Sequence, residues 1–275
     1  MPRSIWSGSI SFGLVNVPVK AYTAVRDHSV HFHQLTPTGA RVKYEKVSEK
    51  TGKEVDAEEI KLGFEIAKGK YVELTKDEVE AMQPASTKSI EIGDFVDLSE
   101  IDPIFYDHTY WLAPDGDAAT KAYALLRDAM EDEQRVGIGS VVMRKKQYLA
   151  AIRPVKGALA MSTMRFADEV VPSSDIEGIP KRAGTTSDKQ VKLARQIIDS
   201  LANDWKPERY HDTYTEELRD LIEKKRKGQK ITVDEPADDG DANADVVDLM
   251  AALEESVKNA RSRKRTTTTR RKKAS

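Results

Sequence analysis

Apolar and polar positions alternate through much of the first 165 residues. Near the N-terminus Ile10, Phe12 and Leu14 interleave with Ser11, Gly13 and Val15, and the run Gly13-Leu-Val-Asn-Val-Pro-Val19 continues extended to Lys20 and Tyr22. Residues 29–36 alternate again, with Val30, Phe32 and Gln34 on one face and His31, His33 and Leu35 on the other, which predicts another strand. Gly69–Leu74, Ser89–Leu98 and Ile104–Leu112 read as strands. Three more follow in series at Gly137–Arg144, Gln147–Arg153 and Ala158–Met164, separated by gaps of hairpin length. Many short strands at close spacing point to a sandwich or barrel rather than a doubly wound sheet. The expected fold class is strand-rich α+β.

Helical signals are fewer. Asp56 with Glu59 and Thr75 with Glu78 match capping boxes that open short helices. Asp117 can cap a helix running to about Glu131, with Ala122, Leu125, Leu126, Ala129 and Met130 on one stripe. After a Pro-, Gly- and Ser-containing stretch at 172–187, where a domain boundary is expected, Asp188–Asn203 reads as an amphipathic helix. Val191, Ala194, Ile198 and Leu201 recur along it at helical spacing. Thr213 and Glu216 suggest a further capping box, Leu218, Leu221 and Ile222 a stripe, and Gly228 a stop. The expected domains are a core over 1–180, a helical segment over 187–230 and an appendage over 231–275. Arg41–Val55 is poor in core residues and rich in charge, and Lys50-Thr-Gly-Lys53 has turn chemistry, so a protruding hairpin or arm is expected there.

The formal net charge is only −2, yet it is unevenly distributed. Residues 1–230 are nearly balanced, 231–257 hold 9 acids and no base, and 258–275 hold 9 bases and no acid. Blocks of like charge are typically interaction tails. The bases of the last block, Arg263, Lys264, Arg265, Arg270, Arg271, Lys272 and Lys273, carry no apolar ballast and suit phosphate contacts of no sequence specificity. A solvated tail is the plainer alternative. Between the two blocks, Val246, Leu249, Met250, Leu253 and Val257 share one helical face. A helix this short is marginal alone, so its stripe is expected to dock on a partner or on the protein's own core.

Enzyme signatures are nearly absent. No phosphate-binding Gly-x-x-x-x-Gly-Lys loop, dinucleotide fingerprint, nucleophile elbow or His-Glu-x-x-His is present, and there is no Cys. The cysteine count and the broken apolar run at the N-terminus fit a reducing cytoplasm, with nucleoid association expected. His31 and His33, two apart on an expected strand, could begin a metal site, but two half-exposed strand histidines are the default, and no cofactor is expected.

The segments Ile5-Trp-Ser-Gly-Ser-Ile-Ser-Phe-Gly-Leu-Val-Asn-Val-Pro-Val-Lys20, Phe32-His-Gln-Leu35, Glu100-Ile-Asp-Pro103, Lys121-Ala-Tyr-Ala-Leu-Leu126 and Asp168-Glu-Val170 resemble the prokaryotic Ku family of non-homologous end joining. Ile197-Ile-Asp-Ser-Leu201 and Tyr210-His-Asp-Thr-Tyr214 resemble that family's C-terminal segment, so the likeness runs over about 2–228. It implies a β-barrel with an arm, in a homodimeric ring that encircles a double-stranded DNA end. It also implies a non-catalytic scaffold whose C-terminal helical segment binds the ATP-dependent end-joining ligase (LigD). Where some relatives carry Cys-x-x-Cys in the arm, this chain has Ser48 and Thr51, which removes that metal site.

From charge and expected exposure, the residues expected to face the duplex are Lys20, Arg41, Lys43, Lys46, Arg144, Lys145, Lys146 and Arg153. Ile198, Leu201, Trp205, Leu218 and Leu221 are expected either to contact the ligase or to pack the helical segment on itself. A general DNA-compacting nucleoid protein is the runner-up, and a metal-dependent hydrolase built on His31 and His33 is the enzyme alternative.

Overall fold

The computed structural model describes residues 2–84, 88–180 and 187–228. The chain forms two compact units, Met1–Pro172 and one beginning at Ser173.

The first unit is organised around a closed seven-stranded barrel. Its strands are β1 (Trp6–Phe12), β2 (Val15–Thr23), β5 (Ser89–Asp97), β6 (Tyr106–Pro114), β7 (Arg135–Met143), β8 (Lys146–Val155) and β9 (Ala158–Met164), in the order β1-β2-β6-β9-β8-β7-β5. All neighbours run antiparallel except β1 and β5, whose parallel pairing of Ser9 with Ser89 through Ser11 with Glu91 closes the barrel. Closure brings backbones close together. A Cβ on Gly8 would lie 2.1 Å from the Lys88 carbonyl oxygen, and one on Gly139 would lie 2.1 Å from that of Glu91. Only glycine fits at either place.

Period-2 side chains fill the interior: Ile10, Val17, Val19, Ala21, Ile90, Leu112, Val141, Ile152, Leu159 and Met161 are all essentially inaccessible. The opposite parity of β7–β9 is also covered. Val136, Ala151 and Met164 form a second cluster, against which Ile101 and Phe105 pack from the link between β5 and β6. Burial on both faces explains why these strands read as near-continuous apolar runs.

One end of the barrel is stopped by α2 (Asp117–Asp132). The Tyr123 hydroxyl donates to the Leu112 carbonyl and accepts from the Leu159 N–H, both at 2.7 Å, and Arg127 donates to the Gly157 carbonyl at 3.0 Å. Burial pushes the Tyr123 phenol up from its ordinary value, because ionisation would strand a charge among apolar neighbours. The buried face runs through Ala119, Tyr123, Leu126 and Met130, while Leu125, expected on the stripe, is 72% exposed. Tyr123 sets this rotation by satisfying two strand groups at once. Gly116, not Asp117, is the N-cap residue, and Asp117 is the first helical residue.

Between β2 and β5 the chain leaves the barrel as an arm over 24–88. It holds the ribbon β3 (Leu62–Ala67) and β4 (Lys70–Leu74), then α1 (Lys76–Ala81), whose Thr75–Glu78 capping box is formed as expected. The alternation of Leu62, Phe64 and Ile66 signalled β3, although the sequence reading passed over it. Residues 29–36 are not a strand: only Leu35 makes a bridge, to Arg41, because no sheet edge lies beside the segment. Asp56 opens a turn rather than a helix, its carbonyl accepting from the Glu59 N–H at 3.0 Å, since β3 begins too soon for a helical run.

In the second unit, α3 (Asp188–Leu201) is capped by Ser187 with Gln190, and α4 (Thr213–Arg226) by Asp212. The expected cap at Thr213 is thus one residue late. The Asp212 carboxylate accepts from the Thr215 N–H at 3.0 Å, and these bonds hold it below the usual carboxylate range. Gly228, at φ +71, follows α4 as the expected stop.

Candidate nucleic-acid interface

The basic side chains of the first unit fall into three settings. At the β7–β8 turn, Met143 pairs with Lys146, leaving Arg144 and Lys145 as the two central residues of a two-residue hairpin loop. Both have positive φ, +50 and +68, the geometry that Asn-Gly ordinarily supplies. Two side chains with a Cβ are held in the left-handed region, at a cost of about 1 kcal/mol each. The following Lys146 ammonium sits 5.1 Å from the Tyr148 ring centroid, and Lys145 pairs with Glu80 of α1, tying the arm to this end of the barrel. Lys145 holds the Glu80 carboxyl below its ordinary value by hydrogen bond and charge.

In the arm, Arg41, Lys43 and Lys46 are all exposed. The Arg41 guanidinium meets Nε2 of His33, and Lys43 lies 3.9 Å from Glu45. His31 lies 3.6 Å from Asp27 instead of beside His33. The two rings are thus in separate interactions, and without the expected strand nothing forces them onto one face. No cluster of metal-ligating side chains occurs among the described residues. The loop bearing Ser48 and Thr51 is held by its backbone, with the Ser48 N–H donating to the Lys53 carbonyl at 2.8 Å and the Gly52 N–H to the Ser48 carbonyl at 2.7 Å.

The third setting is the barrel wall. Lys20, on the outer parity of β2, pairs with Asp115, whose hydrogen bond and charge raise the ammonium above its ordinary value. Its charge is already answered. Arg153, on the outer parity of β8, is half-buried and lies about 23 Å along the strand from Lys146. The structure thus gathers Arg144, Lys145 and Lys146 on one turn and Arg41, Lys43 and Lys46 on the arm, and leaves Lys20 and Arg153 apart from both.

The model of the Ku70/Ku80 beta-barrel domain family matches residues 11–193. The chain belongs to the Ku family. Among its relatives, the non-homologous end joining protein Ku of Anaeromyxobacter sp. (strain K) is 45% identical over 265 residues, covering 96% of this chain and 88% of that one. The non-homologous end joining protein Ku 1 of Saccharopolyspora erythraea is 43% identical over 263 residues, covering 95% and 80%. That of Bacillus subtilis is 37% identical over 261 residues, covering 94% and 83%. Among solved structures, the SPOC domain of human PHD-finger protein 3 is 12% identical over 59% of this chain and 95% of that one with a TM-score of 0.29, too slight a likeness to bear on the fold.

In the second unit of this Ku chain, Ile198, Leu201 and Trp205 are exposed, Trp205 at 76%, and Leu218 and Leu221 are half-buried. Trp205 stacks on Tyr210, with centroids 5.3 Å apart and planes at 27°. No described residue from 173 onward is buried, so the helices leave their apolar stripes only partly covered within these residues. The tail bases Arg263, Lys264, Arg265, Arg270, Arg271, Lys272 and Lys273, and the stripe Val246–Val257, lie outside the described residues. No helix among the described residues is long and apolar enough to cross a membrane.

Tyr148, Glu80 and Asp115 escaped the reading of the sequence. Tyr148 was within reach, being two positions from Lys146 on one strand and hence on the same face. Glu80 was not, since 65 residues separate it from Lys145.

Proposed function

We propose that this Ku chain binds the ends of double-stranded DNA irrespective of sequence, as a ring-shaped homodimer, and acts in non-homologous end joining as a scaffold that recruits the ATP-dependent ligase LigD. The relatives' names support the repair role. The observation that carries the ring is the arm: no described residue in 24–88 is buried, and every residue of β3 and β4 is exposed. An isolated two-stranded ribbon is marginal in water, and Leu62, Phe64, Ile66, Tyr71, Val72 and Leu74 leave apolar side chains on both of its faces. A second copy supplies the missing cover, and two arms crossing from two barrels close a hole.

Lined by Arg41, Lys43 and Lys46 from each arm and by the Arg144–Lys146 turns, such a hole concentrates positive potential inside a nearly neutral protein. Phosphate contacts hold a duplex without reading bases, so an end is recognised by threading alone. Recruitment of the ligase is assigned to residues 187–230 through Ile198, Leu201, Trp205, Leu218 and Leu221, whose partly covered stripes suit a partner groove. The basic tail adds a second, salt-sensitive DNA contact.

Gel shifts with a linear duplex, the same duplex closed by bulky hairpins at both termini, and a covalently sealed minicircle test the threading. Binding to the linear form alone is expected. Equal capture of all three would instead fit the DNA-compacting nucleoid protein.

A further inference from the structure

Arg153 is the one basic residue of the barrel wall whose surroundings do not account for it. Its side chain lines a cavity of about 490 Å³ bounded by Asp97, Leu98 and Ser99 after β5, Glu131 and Gln134 at the end of α2, and Arg135 and Val136 at the start of β7. Its Nε is sealed from solvent and has no hydrogen-bond partner, and the guanidinium makes no ion pair among the described residues. The hydroxyl of Tyr106, close enough for the Arg153 charge to act on it, is likewise buried and unpartnered. An unpaired buried donor is costly, and more so on a charged group.

The charges facing the cavity, Asp97 and Glu131 against Arg135 and Arg153, sum to zero, but they are not all paired. Arg135 is paired with Asp97 at 3.0 Å, which neutralises that acid. This leaves Arg153 opposed only by Glu131, an exposed residue at the rim that has no cation partner among the described residues. Ser99 and Gln134 add neutral hydrogen-bonding groups to the wall.

We propose that this cavity is a binding site for a compact oxyanion, the phosphate or carboxylate group of a small ligand, held by the Arg153 guanidinium. A small turn of the side chain brings Nε to the ligand, so binding replaces the missing hydrogen bonds with a charge-assisted, two-pronged contact. The site is distinct from the DNA-binding surface proposed above, being about 23 Å along β8 from the basic turn.

The test is thermal denaturation of the full-length protein titrated with inorganic phosphate, and separately with acetate, against sodium chloride at matched ionic strength. At least one anion raises Tm saturably, by roughly 5 °C when the site is filled, and which one does so assigns the chemistry. Arg153→Gln weakens the apparent affinity at least tenfold, and Glu131→Gln tightens it several-fold. Should Arg153→Gln fail to fold, Ser99→Asp, which puts a carboxylate on the wall from within the chain, weakens the phosphate or acetate response by the same tenfold. No saturable response in the parent, or an equal response in the variants, overturns the proposal.

Discussion

The barrel and the arm belong to one compact unit but answer the problem of burying a strand in opposite ways. In the barrel, seven strands close on themselves, and their inward apolar side chains sit in an interior that excludes water. In the arm, a two-stranded ribbon and a set of turns leave no described residue buried and hold their shape by local bonds. Examples are the Thr75–Glu78 capping box and the Ser48–Lys53 loop. Closure removes sheet edges and makes the barrel self-sufficient. The arm has surplus apolar surface instead, which the proposed second copy would cover. On the proposed reading, the division puts stability in the barrel and binding in the arm and the turn that touches it.

The largest effect expected from this contrast is at barrel closure. Gly139→Ala would put a methyl group 2.1 Å from the Glu91 carbonyl oxygen, with no flexible side chain to yield. A loss of about 3 kcal/mol or more is expected in urea denaturation, because the backbone of β5 or β7 must move. Glycine to alanine at Gly52, a turn of the arm with nothing near its missing Cβ, costs only the strain of its φ of +64. If the two substitutions cost the same, the barrel is not the source of stability.

Next is the arm. Arg41→Glu, Lys43→Glu and Lys46→Glu together leave the urea midpoint of the barrel nearly unchanged, since all three side chains are exposed. Affinity for every linear duplex falls about 100-fold, and the salt slope becomes shallower by roughly 5 if each of the six bases of the proposed dimer engages one phosphate. Fluorescence anisotropy at several salt concentrations measures both. An unchanged slope moves the DNA contact off the arm.

How much of this was legible follows the same contrast. The barrel announced itself because burial of one face imposes period 2 on Ile10–Phe12 and burial of both faces makes β7–β9 nearly all apolar. The strand Ala158–Met164 was read to the residue. The arm obeys neither rule. Residues 29–36 alternate as well as any true strand, yet no neighbouring strand receives their hydrogen bonds, so the pattern was a false signal. Capping was legible where one residue offers a clear acceptor, as at Thr75. It was misplaced at Thr213, where Asp212 immediately before it is the better-placed acceptor. For the candidate site, residue type located the basic turn and arm. The answered charge of Lys20 and the sealed Nε of Arg153 depend on contacts across the fold, and nothing local in the sequence encodes them.

The smallest expected effect lies where barrel and arm meet, and it separates the two roles within one turn. Arg144 and Lys145 occupy left-handed backbone positions that cost about 1 kcal/mol each relative to residues suited to them. The other strand hairpin at the far end of β8, Lys156-Gly157, has positive φ at both positions but places glycine at one. The double replacement Arg144→Asn with Lys145→Gly converts the first turn to the preferred chemistry. It also removes the Lys145–Glu80 pair, which is exposed on both sides and contributes little. Stability to urea therefore rises by about 1 kcal/mol while duplex affinity falls several-fold, so that the two measurements move in opposite directions. A stabilised turn that keeps full affinity would show that its strain is not retained for DNA.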